Sequence, residues 1–412
     1  MELLYQSEIE SIVKKCGCTN IDDMKWNISD YSNELIGYLG EHLNLTVKVI
    51  SKGVIKELHL FLKCIPRFNK WKAEYLRETT FFLKEYAMLS GLFQHFQDNQ
   101  GERKWRPTLL YVKEELFVFE DVSKLGYVMP DNMYTLTDEE LMATVEALAK
   151  FHAQSYIYEE TKTRELKTQY RIWEEYGEYL TEPIKGKPWR DTGMRAAIDY
   201  LKEYSAYKSK PGFCKDIERI ITMLFDSAMD LMKPSLTYRN VVIHRDIWTN
   251  NIFLKKMDSG KLHALIVDFQ TVLYCSPMLD LSSLLFFNTT EKFRHVQTDN
   301  VLNFYYKILG EELKFNGIDV CNILDKDKLR TAYNESVIFG MTQAALIVPI
   351  ITMRRERRKE IYGDHERAIV DSISRSKEFI ETARDDVNYR NRVTELLDDI
   401  VEKFVYPYEE LI

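Results

Sequence analysis

The sequence is poor in cysteine and shows no sign of an export signal. Six cysteines are spread over 412 residues, and only Cys16 and Cys18 lie close together. No second cluster of cysteine or histidine accompanies this pair, so the spacing does not indicate a zinc site. The first residues are acidic and lack the apolar segment of a signal peptide. We therefore expect reduced thiols and a cytoplasmic location.

Long hydrophobic runs and an excess of basic residues are also missing. The most apolar stretch, residues 337–353, is short for a membrane span and contains Gln343 and Pro349, which is typical of a buried helix. The chain carries 56 Lys and Arg against 64 Asp and Glu, a net charge of -8, whereas nucleic-acid-binding proteins usually have a basic surface. These features predict a soluble protein that binds neither membranes nor nucleic acid, and they leave its oligomeric state open.

The first 120 residues have a mixed pattern of helix and strand. Helical spacing of apolar residues runs through residues 1–40, and a second helical pattern covers 73–93. Alternation of apolar and polar residues predicts four strands. These strands are 45–49, 58–62, 108–111 and 116–119. The pattern indicates a sheet built around one important helix.

From Thr137 onward the chain is mainly helical. Thr137 and Glu140 have the spacing of a capping box, and helical patterns continue to about residue 235. Two short apolar strands, 241–244 and 264–269, follow before the chain becomes helical again. Because 412 residues exceed one ordinary core, we predict an α+β, bilobal, protein-kinase-like fold. Its N-lobe would be residues 1–120, its hinge near 119–123, and its C-lobe 121–412.

The residues that carry chemistry lie where the two short strands end. In "VIHRDIWTNNIFL", Asn251 follows Asp246 by five residues, and "LIVDFQ" contains Asp268. Phosphoryl transfer needs a carboxylate that accepts the proton of the attacking hydroxyl, and magnesium prefers oxygen ligands such as Asp and Asn. Either motif alone is a weak signal, but together and in this order they indicate phosphoryl transfer.

A phosphate-binding pair is also present in the N-terminal part. Phosphoryl transfer uses a lysine on the nucleotide phosphates, held in place by a glutamate. Lys63 ends the second predicted strand and Glu85 lies on the helix that follows, with Glu78 as a rival. A G-x-G-x-x-G loop is missing, and Gly37 and Gly40 are weak candidates for a shorter turn over the phosphates.

Several missing features oppose a protein acceptor. Trp248 stands where Ser/Thr kinases have a lysine, Gln270 replaces the glycine of D-F-G, and no A-P-E motif follows. Asp280 comes so soon after Asp268 that there is no room for an activation loop. A small-molecule hydroxyl is therefore the favoured acceptor. An atypical protein kinase and a non-catalytic nucleotide-binding protein are the alternatives.

In these motifs the chain resembles the ecdysteroid-kinase-like family, within the choline-kinase and aminoglycoside-phosphotransferase superfamily. The resemblance runs in order through roughly residues 40–350. Its segments are "LFLKCIP", "FFLKEYAML", "FVFEDVSKLGY", "LAKFHAQS", "VIHRDIWTNNIFL", "IVDFQTVLYCSPMLDLSSLLF" and "FGMTQAALIVPI". It implies a kinase that uses ATP and Mg²⁺. Asp246 would be the catalytic base, and Asn251 and Asp268 the metal ligands. Lys63 and Glu85 would bind the phosphates.

The resemblance implies further roles along the cleft. The backbone of Glu120 and Val122 would meet the adenine. His152 would pack under the catalytic loop, and Asp280 would brace that loop by hydrogen bonds. Arg245 departs from the pattern, because the family usually has glycine there, and this leaves a divergent substrate open.

The acceptor side of the cleft corresponds to a helical insert at about residues 155–240. Its aromatic residues are candidates either for an apolar pocket suited to a steroid or for packing between helices. The candidates are Trp173, Tyr176, Trp189 and Tyr200. The family implies an ecdysteroid or similar lipophilic metabolite as acceptor. Xenobiotic or plant alcohols are alternatives, and so is choline or ethanolamine, which would need an aromatic and acidic cage.

Overall fold

The computed structural model describes residues 3–31, 40–97, 101–130, 134–182, 187–362 and 374–407. Its N-terminal part contains a five-stranded antiparallel sheet in the order β1-β2-β3-β5-β4. The strands are β1 (Asp23–Asp30), β2 (Glu41–Ser51), β3 (Val54–Cys64), β4 (Leu109–Lys113) and β5 (Leu116–Glu120). All four predicted strands are present; β2 and β3 extend to 11 residues each, and β4 begins at Leu109, one residue later than predicted.

The β2–β3 hairpin sets the position of Lys63. Its two-residue turn consists of Lys52 and Gly53, which both have positive φ, as the right-handed twist of a tight hairpin requires. This turn fixes a register in which His42 on β2 lies opposite Lys63 on β3. On the other side, Lys63 lies opposite Phe117 of β5. Lys63 therefore ends an inner strand, as predicted.

The prediction that residues 1–40 are helical is only partly right. Helix α1 (Gln6–Lys15) packs its buried face against the sheet, but residues 23–30 form the edge strand β1. Its half-buried residues Met24, Trp26 and Ile28 alternate with exposed neighbours. That period of two is the signature of a strand, and it is short enough to be missed beside the helical spacing before it.

The helix predicted over residues 73–93 is in fact two helices. Helix α2 (Lys70–Glu78) and helix α3 (Phe81–Ser90) are separated by Thr79 and Thr80, and Thr80 adopts a left-handed φ of 59°. Two adjacent β-branched residues favour helix poorly, which makes this a natural place for the break. Helix α3 then turns one face, including Phe82, Glu85 and Met88, into the core.

The C-terminal part is mainly helical, with two small antiparallel sheets. Strand β6 (Val241–Ile243) pairs with β9 (Leu273–Cys275), and β7 (Ile252–Lys256) pairs with β8 (Leu262–Ile266). Strands β7 and β9 were not predicted. The helices are α4 (Asp138–Leu166), α5 (Ile172–Tyr176), α6 (Lys187–Tyr204), α7 (Phe213–Leu231), α8 (Met278–Asn288), α9 (Glu291–Phe315), α10 (Lys326–Ile351), α11 (Arg355–Tyr362), α12 (Ser376–Asp385) and α13 (Val387–Ile400).

Two of these helices form the interior on which the site rests. Helix α4 begins with the predicted capping box between Thr137 and Glu140 and is buried over most of its first 22 residues. Helix α10 is long and apolar enough to cross a membrane by length and composition, but 78% of its most apolar window is buried inside the molecule. A Cβ on Gly340 of α10 would lie only 2.7 Å from the carbonyl carbon of Ser282 on α8. Glycine here permits close backbone contact between α10 and α8.

Candidate active site

Lys63 binds two carboxylates that come from opposite parts of the chain. Its Nζ lies 2.6 Å from Oε2 of Glu85 on α3 and 2.8 Å from Oδ1 of Asp268, which follows β8. The side chains of Lys63 and Glu85 are almost fully buried. Burial alone would lower the pKa of Lys63, but the charges of Asp268 and Glu85 outweigh it and raise this pKa above its usual value. The lysine is therefore held as a fixed positive charge.

The structure also shows where two other candidates, Glu78 and Gly40, lie relative to Lys63. Glu78, the rival of Glu85, is exposed on α2, so Glu85 is the glutamate that contacts the lysine. Gly40 lies against the lysine, because a Cβ there would be 3.3 Å from Lys63 Cε. Gly37 falls outside the described residues. Gly40 thus borders Lys63, although its backbone is not in the left-handed region.

The loop after β6 brings Asp246 and Asn251 together. The Asn251 side-chain amide donates to the backbone carbonyl of Asp246 at 2.8 Å and to Oδ2 of its carboxylate at 3.3 Å. Asn251 is the last residue of a 3-10 turn that leads into β7, so its position is set by the strand that follows. Burial, and then the negative charge of Asp268, raise the pKa of Asp246 to about 7.

A buried brace fixes the start of this loop. Asp280, at the start of α8, accepts hydrogen bonds from the backbone N–H groups of His244 and Arg245, both at 2.6 Å. His152 of α4 lies 3.0 Å from the same carboxylate through Nε2 and 2.9 Å from Tyr305 OH through Nδ1. These contacts agree with the expected bracing role of Asp280 and the packing role of His152.

His244 connects the segments that follow β6 and β8, which carry Asp246 and Asp268. Its Nε2 donates to the carbonyl of Val267 at 2.9 Å, and its Nδ1 accepts from the N–H of Asp246 at 3.2 Å. Burial lowers the pKa of His244, which favours the neutral ring that this pair of bonds requires. His244 therefore shapes the loop as expected.

The segment after β5 has the geometry of a connection between two lobes. Strand β5 ends at Glu120, and a 3-10 turn begins at Val122 with Asp121 as its cap. The side chain of Glu120 contacts Lys104 and accepts from Thr108 N–H, and the Glu120 backbone N–H donates to the Thr108 carbonyl at 3.1 Å. Val122 begins the turn, and its N–H therefore has no partner within that turn.

The donor set at this site suits magnesium. Within the described part of the chain, no group of three or more His, Cys, Asp or Glu side chains is arranged to hold a metal. Asn251 and Asp268 supply oxygen ligands of the type that Mg²⁺ uses together with nucleotide phosphates. The mutual repulsion of the Asp246 and Asp268 carboxylates is the kind of unfavourable contact that a divalent cation relieves.

Arg245 makes a contact that the sequence did not predict. Its guanidinium forms a two-pronged ion pair with the Glu182 carboxylate, with Nη2 at 3.2 Å from Oε1 and a shorter contact from Nη1. The residue has a left-handed φ of 74°, a region that favours glycine. No local pattern links residues 182 and 245, because 63 positions separate them.

Lys84 lies buried beside this ion pair and was also missed. Its Nζ donates to the carbonyl of Val272 at 3.2 Å. Burial is the main reason that its pKa falls to about 8; the negative charge of Glu182 opposes the shift and the positive charge of Arg245 adds to it. The only sequence signal was a charged pair, Lys84-Glu85, inside an otherwise apolar helix.

A pocket opens next to the catalytic loop, between α6, α7 and α10. The space that it encloses is about 30 Å³, room for about two water molecules. Arg245, Glu182, Arg190, Gln343 and Thr342 are the polar residues that line it. Its apolar lining residues are Trp189, Phe225, Ala228, Met229, Met232 and Leu346.

Of the four aromatic residues proposed for such a pocket, Trp189 lines it. Tyr200 is fully buried, with its hydroxyl 3.0 Å from Thr394 Oγ1. The Tyr176 ring packs near Gly91. Trp173 stacks on Tyr274 with ring centroids 6.2 Å apart. For these three residues, the alternative reading of packing between elements is the better one.

A sheet-and-helix lobe packed on a mainly helical lobe, with a lysine–glutamate pair facing a loop that carries Asp and Asn, defines the bilobal α+β, protein-kinase-like fold. The predicted fold class is confirmed. A family model described as the ecdysteroid kinase-like family matches residues 36–317, more than half of the chain, and the chain belongs to that family. Membership relates it to small-molecule phosphotransferases. Comparison with curated proteins finds no match.

Comparison with solved structures also finds matches of low sequence identity. An ethanolamine kinase from Plasmodium vivax is 12% identical over 98% of this chain and 85% of its own, with a TM-score of 0.36. The GDP complex of an aminoglycoside 2'-phosphotransferase-IIIa is 12% identical over 95% and 98%, with a TM-score of 0.39. A microcompartment-associated aminopropanol kinase is 13% identical over 95% and 97%, with a TM-score of 0.40.

Proposed function

We propose that the protein is an ATP- and magnesium-dependent kinase that phosphorylates a hydroxyl group of a lipophilic small molecule. The observation that carries this proposal is the convergence of five side chains from separate elements. Lys63 contacts Glu85 and Asp268, and Asn251 contacts Asp246. Positioning and charge neutralisation supply most of the catalysis in phosphoryl transfer, and this constellation provides both.

In this proposal Asp246 is the catalytic base. It accepts the proton of the acceptor hydroxyl while the hydroxyl oxygen bonds to the γ-phosphorus and the bond from that phosphorus to the β-bridging oxygen breaks. Its pKa of about 7 lies close to neutral pH, which is favourable for a group that takes up a proton. The Asn251 amide holds the carboxylate in place.

The nucleotide side of the reaction falls to the other residues. Lys63, held by Glu85, binds the phosphates. Asn251 and Asp268 would hold magnesium, which neutralises charge on those phosphates when bound. We further propose that the backbone at Glu120 and Val122 contacts the adenine. The lobes would then be residues 1–120 and 121–412, with the hinge at 119–123.

The proposed acceptor is an ecdysteroid or a similar lipophilic metabolite. Support comes from the family to which the chain belongs and from the mainly apolar lining of the small cavity beside Arg245, part of which the insert at about 155–240 supplies. Xenobiotic and plant alcohols share this chemistry. A cytoplasmic location is proposed as well, because all six cysteines are free, as is usual in reducing compartments.

The test is ATP turnover by the purified full chain with magnesium. The acceptors would be ecdysteroids, plant alcohols, choline and a generic protein substrate. We expect turnover with a lipophilic alcohol, and a loss of about 10²–10⁴-fold in Asp246→Asn with ATP affinity retained. Turnover with protein alone would instead identify an atypical protein kinase. ATP binding without turnover on any acceptor would favour a non-catalytic nucleotide-binding protein.

A further inference from the structure

The backbone that carries Asp268 is held on both sides of that residue. Asp268 has a left-handed φ of 71°, and the N–H of the next residue, Phe269, donates to Oε1 of Glu85 at 3.3 Å. The Phe269 ring is only 3% exposed and packs among other aromatic rings. Two residues further along, the Thr271 hydroxyl donates to the His244 carbonyl at 3.0 Å. The position of the Asp268 backbone is therefore fixed.

The Asp268 carboxylate keeps one freedom, which is rotation about the bond to its Cβ. This torsion is broad in aspartate side chains. Lys63 holds one of the two oxygens, with its Nζ 2.8 Å from Oδ1. The other oxygen, Oδ2, accepts a hydrogen bond from Nε2 of Gln270 at 3.3 Å. Together the two contacts fix the direction in which the carboxylate faces, and the contact from Gln270 is the one that holds Oδ2.

Gln270 makes this contact although its other polar atom is unpaired. The residue is only 6% exposed, and its Oε1 has no hydrogen-bond partner among the residues that the structure describes. A buried acceptor of this kind is unfavourable, because it has lost its hydration without gaining a partner. An apolar side chain of the same length would avoid that loss. The stability of the fold therefore does not explain a glutamine at this position, and another explanation is needed.

The charges around Asp268 explain why an amide suits this position better than a carboxylate. Glu85 and Asp246 both place negative charge close to Asp268, and Lys63 forms an ion pair with it. An amide donates a hydrogen bond to Oδ2 and adds no charge. An ionised glutamate in place of Gln270 would add a further negative charge and would have no hydrogen to donate.

Given the kinase function proposed above, we propose that Gln270 is a positioning residue for the divalent metal. Its amide holds the Asp268 carboxylate in the orientation that binds the metal–nucleotide complex, at a cost in the stability of the fold. Gln270 thus acts through Asp268. Residues that orient metal ligands in this way typically contribute about 10- to 100-fold to metal affinity, because the ligand does not have to be ordered when the metal binds.

Gln270→Met tests this role with a side chain of the same length. Calorimetry on the full chain would measure the affinity for ADP with Mn²⁺ and, in the presence of EDTA, without a metal. We expect the variant to bind Mn²⁺–ADP about tenfold more weakly than the wild type and to bind metal-free ADP equally well, because Lys63 is unchanged. Equal affinities of the two proteins for Mn²⁺–ADP would overturn the proposal, and so would an equal loss with and without the metal.

The melting midpoint of the same variant tests the cost in stability. Gln270→Met removes the unpaired Oε1 together with one long hydrogen bond, so its midpoint should be no lower than that of the wild type. The matched control is Gln154→Met in α4. Gln154 is 3% exposed, but both ends of its amide are paired, with Oε1 2.9 Å from the N–H of Gln97 and Nε2 3.5 Å from the Lys150 carbonyl.

We expect Gln154→Met to lower the midpoint by about 2–4 °C and to leave the affinity for Mn²⁺–ADP unchanged. If Gln270→Met failed to fold, or lost as much stability as this control, Gln270 would have a structural role and the proposal would be overturned.

The kinase function and the role of Gln270 fail in different ways. A wild-type protein that does not bind Mn²⁺–ADP would refute both. Binding that is equally tight in the wild type and in Gln270→Met would refute the role of Gln270 alone. The expected loss in the variant, without phosphotransfer by the wild type to any acceptor, would support the role of Gln270 and refute the kinase function.

Discussion

Two clusters of charged side chains adjoin the loop after β6, and their summed charges have opposite signs. In the nucleotide cluster, Lys63 is shared by the carboxylates of Glu85 and Asp268, a sum of +1 - 1 - 1 = -1. In the acceptor cluster, Glu182 is paired with Arg245 and Lys84 adds a nearby positive charge, a sum of +1 + 1 - 1 = +1. The first has an excess of negative charge and the second an excess of positive charge. Lysine and glutamate occur in both clusters, and the third member, Asp268 or Arg245, sets the sign of the sum.

Removing the lysine of the nucleotide cluster should give the largest effect. Lys63→Met leaves the Glu85 carboxylate buried without its cation, which is expected to destabilise the protein by about 3–5 kcal/mol and to abolish phosphotransfer. The measurements are urea unfolding and ATP turnover.

The matched control is the double variant Lys63→Met with Glu85→Leu. It replaces the pair by apolar side chains, and it should recover most of the stability while remaining inactive. A double variant no more stable than Lys63→Met would mean that the buried charge of Glu85 is not the cause.

Removing Lys84, the lysine of the acceptor cluster, should instead stabilise the protein. The folded pKa of Lys84, about 8, lies below its ordinary 10.5, so the folded state binds fewer protons than the unfolded state between these values. Wild-type stability should therefore contain a component that rises from pH 8 to about 10.5, amounting to roughly 2–4 kcal/mol.

Lys84→Met eliminates this component, so its advantage over the wild type should be largest at pH 7 and should shrink as the pH increases. Unfolding free energies of both proteins at several pH values provide the comparison, and subtraction cancels the other titrating groups. A difference that is independent of pH would contradict the assignment to Lys84.

A smaller effect is expected for Asp280, whose carboxylate holds the start of the loop that carries Arg245 and Asp246. Asp280→Asn keeps the shape of the side chain but replaces one accepting oxygen by a donor that faces the N–H groups of His244 and Arg245. The expected loss is about 1.5–3 kcal/mol in unfolding free energy. Asp319→Asn, which affects a cap of an exposed 3-10 turn, is the control and should change stability far less. Comparable losses in both would argue against a special role for the brace.

The smallest predicted change is the loss of ATP affinity in Gly40→Ala, because Gly40 lies close to Lys63. A Cβ at 3.3 Å from Lys63 Cε would displace the lysine by a few tenths of an ångström, and we expect ATP affinity to fall by about two- to fivefold. Gly53→Ala is the comparison, because no atom lies within 4 Å of its added Cβ. That variant should lose some stability through its positive φ but retain ATP affinity. A fall in affinity in Gly53→Ala would mean that the hairpin acts as a whole.

The nucleotide cluster was predictable from the sequence, whereas the acceptor cluster was not. Lys63, Glu85, Asp246, Asn251 and Asp268 each lie next to a strand or on an amphipathic helix, and their order along the chain is informative. Their contacts agree with the predicted constellation, while their chemical roles stay predictions.

Glu182 and Gln343 have no comparable local signal. Gln343 reaches the pocket because α10 packs against α6 and α7, and Glu182 reaches it from the segment between α5 and α6. Tertiary packing of this kind leaves no periodic trace in the sequence. The missed strand β1 and the break at Thr80 have another cause. Short elements compete with stronger neighbouring patterns, and a single residue in the left-handed region is invisible to helical spacing.

The contact of Gly340 with Ser282 has a mechanical consequence. It brings backbone against backbone, so any side chain larger than that of glycine at position 340 would force α10 away from α8, the helix that carries Asp280. At Gly193 of α6, in contrast, an added Cβ would meet the terminal methyl of Leu346, which can rotate aside. We therefore expect a substitution at Gly340 to be felt at Asp280 and a substitution at Gly193 to be absorbed by side chains.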